Sequence, residues 1–160
     1  MSRSRIWGDY PELLALSEHY SINLHVYQRV NNQEVAGVDG PVDVLRELFA
    51  LTGKESAFPP IYLLRRSSAR HADHYDLFTD RPPHPELLAS EWDVAGRRQR
   101  IRGDGNCMFR AIGKALAIPH PQMRASAVRW MLENPDFPIH AFNDMRLADF
   151  CTSDYVEPLA

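Results

Sequence analysis

A cluster of prolines in the middle of a chain of single-domain length decides most about how these 160 residues can fold. Pro82, Pro83 and Pro85 lie within residues 80–100, followed by the polar Gly96, Arg97 and Arg98. Proline has no N–H to give to a ladder, so no central strand can run through this stretch. A length of 160 residues suits one domain and is short for two. The stretch is therefore expected to be a surface connection inside a single domain, with residues 86–92 as a short helix along it.

The flanks carry regular patterns. Asp9 and Pro11 suit a helix start, and residues 12–20 place Leu13, Leu14 and Leu16 on one apolar side. Residues 22–27 alternate as a strand does, and residues 31–40 read as a loop. Val44, Leu45, Leu48 and Phe49 have helical spacing, so residues 41–52 are expected to form a helix closed by Gly53. Residues 61–65 and 74–78 read as short strands. Beyond the connection, residues 107–117 and 121–134 read as helices, and residues 149–159 as weakly helical. The fold class is α/β (α+β), with a small central sheet between helices.

Composition narrows the function. Apolar residues make up 44% and charged residues 24%, which is ordinary for a globular domain and unlike a disordered or fibrous chain. Eighteen basic against 21 acidic residues give a net charge of -3, without the general basicity of a nucleic-acid binder. No apolar run reaches the roughly 20 residues that cross a bilayer. The first residues, MSRSRIWGDY, have no apolar stretch behind their arginines and are not expected to act as a secretory signal. Two cysteines, Cys107 and Cys151, are too few for a disulfide scaffold or a four-thiolate zinc site. A reducing, cytosolic setting and a monomer without metal or cofactor are expected, with no nucleic-acid or membrane partner.

Cys107 follows a glycine-rich turn, Gly103-Asp104-Gly105-Asn106, and opens an apolar helix. A thiol at a helix N-terminus has its thiolate stabilised by the dipole, and the turn's N–H groups can hold an oxyanion. The same pattern also suits a buried structural cysteine beside a capping turn. His74 and Asp76, two apart on a strand, project from one face. Asp76 can orient the ring as His74 takes a proton from a thiol, or the two can be a solvated pair. Cys151 has no such turn and reads as structural.

These residues resemble a known family. Residues 103–112, GDGNCMFRAI, resemble the cysteine box of the ovarian-tumour (OTU) deubiquitinases, approximately D-G-N-C-L-F-R-A-I. His74-Tyr75-Asp76 resembles the family's H-Y-D histidine box. Residues 7–17, WGDYPELLALS, resemble its W-G-G-x-x-E-L-x-A-L-S segment, and residues 124–135 its helix after the cysteine box. The order departs from the family's, which runs from the cysteine box to the histidine box. Reading residues 97–160 first and 1–78 second restores it. The resemblance thus implies a circularly permuted domain, with residues 79–96 joining the former ends and the break between Trp7 and residues 155–157.

The resemblance implies a thiol isopeptidase acting at the C-terminal glycine of ubiquitin or polyubiquitin. Cys107 would be the nucleophile, His74 the base and then the acid, and Asp76 the orienter. Backbone N–H groups of Asp104, Gly105 and Cys107 would form the oxyanion hole. Asn106 and Tyr75 would line the groove for ubiquitin's tail, and Trp7 would pack near that groove or in the core. The family needs no metal or cofactor. A bacterial source would imply an effector working in a host cytosol. Two other classes fit the same residues: a papain-like peptidase or acyltransferase on another substrate, and a non-catalytic ubiquitin-binding module.

Overall fold

The computed structural model describes residues 9–53, 55–68, 71–79, 87–88 and 98–152. Pro11 falls in the first turn of α1 (Asp9–Tyr20), where its missing N–H removes no helical hydrogen bond. Leu13, Leu14, Ala15 and Leu16 are buried. Ser21, with φ 53°, leaves the helix in the left-handed region. The buried Ser17 fixes the corner that follows. Its hydroxyl donates to Ile22 O at 2.8 Å, and the Ile22 N–H donates back to Ser17 O at 3.1 Å. The chain is thereby aimed into the sheet.

The molecule is mixed α/β. Its main sheet holds β1 (Leu24–Gln33), β2 (Val42–Leu51), β3 (Ile61–Ser68), β4 (His71–Phe78), β5 (Leu87–Leu88) and β6 (Arg98–Gln99), in the order β5-β2-β1-β3-β4-β6. β1 and β3 run parallel, and every other pairing is antiparallel. The helices that follow are α2 (Cys107–Leu116), α3 (His120–Glu133) and α4 (Leu147–Thr152). A two-stranded ribbon, β7 (Pro138–Ile139) with β8 (Met145–Arg146), joins the last two.

Period-two alternation sorts the sheet into two faces. Leu24, Val26, Leu63 and Leu77 point to one, where they pack with Leu13 of α1, Ile112 of α2, Met123 of α3 and Phe150 of α4. Tyr27, Leu45, Leu64 and Phe78 form a smaller cluster on the other. The expected sheet between helices is therefore not what forms among the described residues. All four described helices share one cluster with a single sheet face, and the second cluster is made of strand residues. Burying a Leu or Ile side chain fully contributes roughly 1.5–3 kcal/mol, so the helical face dominates the stability.

Residues 41–52 form a strand, not the expected helix. The register explains the misleading spacing. Val26 pairs with Phe49 and Tyr27 with Glu47, which leaves Leu48 as the extra residue of a bulge, 45% exposed. The insertion flips the alternation, so Val44 and Phe49 reach the same face although five positions separate them. A strand with one bulge thus carries the i, i+1, i+4, i+5 pattern of a helix. Of the short helix expected at residues 86–92, Leu87–Leu88 is instead a strand that pairs with Leu45 and Val44 at the sheet edge, and the rest lies outside the described residues. Arg98–Gln99, expected within the surface connection, pairs with Phe78 and Leu77 at the opposite edge. Neither strand enters the centre of the sheet.

Gly53 is set by close approach rather than by helix closure. A Cβ there would lie 2.6 Å from both Ile22 N and Ser21 C, and the Gly53 N–H donates to Asn23 Oδ1 at 3.0 Å. Gly53→Ala is expected to destabilise the fold by about 2–3 kcal/mol through overpacking against backbone. Thermal denaturation would show this as a Tm lower by about 5–10 °C. An unchanged Tm would mean that the α1–β1 corner yields freely.

Candidate active site

Cys107 is the first residue of α2 and is 6% exposed. Met108, Phe109, Ala111 and Ile112, all buried, anchor the helix to the core and so fix where the thiol stands. Gly105, with φ 83°, makes the turn ahead of it in a conformation that side-chain-bearing residues rarely adopt. The N-cap, Asn106, gives no side-chain cap, and no acidic residue sits in the first turn. The positive end of the helix dipole therefore acts on Cys107 without a nearby carboxylate on the helix to offset it.

Two arginines hold the turn. Arg110, one turn into α2, donates from Nε to Asp104 Oδ2 at 3.0 Å and from Nη2 to the same oxygen. Asp104 Oδ1 accepts the Asn106 N–H at 3.0 Å. Arg124 of α3 donates from Nη2 to Asn106 Oδ1 at 2.7 Å and to Gly105 O at 3.3 Å. Its guanidinium lies over the Phe109 ring, 4.6 Å from the centroid. Asp104 thus takes the N–H of Asn106, which lies outside the expected oxyanion hole of Asp104, Gly105 and Cys107.

The Arg110 guanidinium, with help from the Asn106 N–H, holds the Asp104 carboxyl down from 3.8 to about 2. A folded-state pKa below the unfolded value gives stability that is full above the ordinary carboxylate range. It is lost as pH falls toward about 2. The Asp104 carboxyl signal in an NMR titration is expected to have its midpoint near 2. In Arg110→Ala it should return toward the ordinary range, and an unmoved midpoint would contradict the pairing.

His74 and Asp76 sit on β4 with the alternation expected of them. His74 Nε2 lies 2.8 Å from Asp76 Oδ1. The carboxylate is fully buried, and Oδ1 also accepts the Ile101 N–H at 2.9 Å. Oδ2 has ion-pair contacts to Arg66 Nη2 at 3.2 Å and Arg98 Nε at 3.9 Å, but neither makes a directed hydrogen bond. With Nε2 donating to Asp76, the free lone pair of a neutral ring is on Nδ1. That nitrogen faces the cysteine turn: a Cβ on Gly103 would lie 3.6 Å from it. The chain reaches this position because β6 pairs with the end of β4, and residues 100–103 then run back toward His74.

The other expected residues are placed as follows. Tyr75 is 1% exposed and packed in the helical-face core, so its side chain belongs to the packing beneath β4 and not to a groove surface. Asn106 is partly exposed, with its Oδ1 committed to Arg124. Trp7 and residues 155–157 lie outside the described residues. Cys151 is exposed, yet its thiol is held above the ordinary range, first by local desolvation and then by the Glu12 carboxylate. Sequence reasoning missed Arg110, Arg124 and the Ile101 N–H. Arg110 was visible only as a position in the cysteine box. The other two act through contacts distant in sequence.

Among the described residues no group of three or more His, Cys, Asp or Glu side chains converges as metal ligands do. No helix of the described residues is long and apolar enough to cross a membrane. No family model, curated protein or solved structure matches the chain.

Proposed function

We propose that the protein is a cysteine isopeptidase of the ovarian-tumour type that cleaves at the C-terminal glycine of ubiquitin. The observation that carries this reading is the meeting of the two motif segments. The His74–Asp76 pair of β4 turns its Nδ1 toward Gly103, four residues ahead of Cys107. His74 Nδ1 takes the thiol proton, and the Cys107 thiolate attacks the glycine carbonyl. The oxyanion forms against N–H groups of the turn. The proton on Nδ1 then passes to the leaving lysine amine as the C–N bond breaks. Water, deprotonated by the same nitrogen, attacks the thioester and frees the glycine carboxylate and the thiol. Asp76 keeps its place on Nε2 throughout and stabilises the imidazolium.

The permuted order belongs to the same proposal. It is supported by contacts between the two ends of the described chain. The ring of Tyr10, at the start of α1, lies 5.6 Å from Phe142 and 6.3 Å from Phe150 of α4. A chain joined near its present ends and opened within residues 79–96, away from Leu87–Leu88, is expected to fold and keep its activity, since domain termini that lie close tolerate such exchange.

The test of the function is release of a fluorophore from the C-terminus of ubiquitin, followed by cleavage of a panel of diubiquitin linkages. Hydrolysis of both supports the reading. Turnover of small thioester or peptide substrates with none of ubiquitin would favour the papain-like alternative instead.

A further inference from the structure

A shallow cavity of about 560 Å³, widely open to solvent, lies beside α2, on residues that the proposed reaction does not use except for Arg110. Three elements build it: residues 100–102 after β6, the middle of α2, and the loop into α3. Arg100, Arg102, Arg110, Lys114 and His120 all line it, and no acidic residue does among the described residues. Arg110 is neutralised by Asp104. Arg100 and Lys114 form no ion pair with the described residues, and Arg102 is coupled to Asp104 only at longer range, without a direct ion pair. The α3 N-terminus at His120 adds the positive end of a 14-residue helix with no acidic residue in its first turn. A concentration of like charge destabilises a fold unless something offsets it, and here it occurs in a chain whose net charge is -3.

We propose that this cavity is a binding site for a compact anion bearing several phosphate groups. The volume is within the range of small-molecule sites and is larger than a single phosphate would fill. Phe, Tyr and Trp are absent from its described lining, so a nucleotide base would find no such ring to stack on. Arginine forks and an ammonium lining one cavity from different elements suit phosphate oxygens spread around a compact core or along a short chain. Linear polyphosphate and polyphosphorylated cyclitols share this chemistry.

The test is calorimetric titration of the whole chain with tripolyphosphate, inositol hexakisphosphate, orthophosphate and a polyglutamate peptide. Saturable one-to-one binding of either polyphosphate is expected, with the tighter one identifying the source. Orthophosphate should bind at least about tenfold more weakly, and affinity should fall with added salt. Binding should raise Tm in proportion to the logarithm of ligand concentration. Arg102→Gln with Lys114→Gln is expected to lose at least about tenfold in affinity while the ligand-free Tm stays put, since both side chains are exposed. A second pair, Arg100→Gln with Lys114→Gln, is expected to behave alike. No saturable binding, affinity unaltered in both pairs, or tighter binding of polyglutamate than of either polyphosphate would overturn the proposal. The last result would assign the cavity to an acidic protein segment.

Discussion

Cys107→Ala is expected to lower ubiquitin–fluorophore hydrolysis by at least about a thousandfold, since loss of one member of such a unit removes most of what the whole unit supplies. Cys151→Ala should leave the rate within about twofold, because that thiol lies outside the unit. The contrast follows from the surroundings of the two thiols. Cys107 opens a ten-residue helix with no acid in its first turn, ahead of which stands a turn held by Arg110 and Arg124. Cys151 sits in the six-residue α4, and desolvation together with the Glu12 carboxylate disfavours its thiolate. If Cys151→Ala abolished activity in a folded protein, the nucleophile would have been misplaced.

His74→Ala should cost nearly as much as loss of the thiol, for the same non-additive reason. Asp76→Asn should cost about tenfold to a hundredfold less than His74→Ala, because the amide oxygen, held by the Ile101 N–H, can still accept from Nε2 although the charge that stabilises the imidazolium is gone. Asp76→Ala should fall between the two in activity and also reduce stability. It leaves the buried Ile101 N–H without its acceptor, a loss of about 1–3 kcal/mol. Rates of the three variants, each with its Tm, separate the chemical role of the carboxylate from its packing role. A fully active His74→Ala would remove the proposed base, and His71 would be the next residue to test.

What could be read without coordinates was what contiguous residues determine. α2 and α3 fall within one residue of where periodicity and proline placement put them, because an amphipathic stripe and its end signals lie within the element itself. The pairing of His74 with Asp76 was legible for the same reason, since strand alternation alone sets it. β2 was not, because the bulge at Leu48 exists only against β1, and nothing within residues 42–51 announces it. Arg124 reaches Asn106 across 18 positions, and Ile101 reaches Asp76 across 25. Such contacts are properties of the packed fold. The basic cavity is another case: its cations are scattered over residues 100–120, in a chain whose overall charge is acidic.

Whether Cys107 is a ubiquitin-directed nucleophile is decided by a covalent probe. The protein would be incubated with ubiquitin carrying a C-terminal propargyl group, and the product digested and mapped by mass spectrometry. The expected result is a single adduct on Cys107, absent in Cys107→Ala and strongly slowed in His74→Ala. An adduct on Cys151, or no adduct in a protein whose fold is verified by its circular dichroism and Tm, would contradict it.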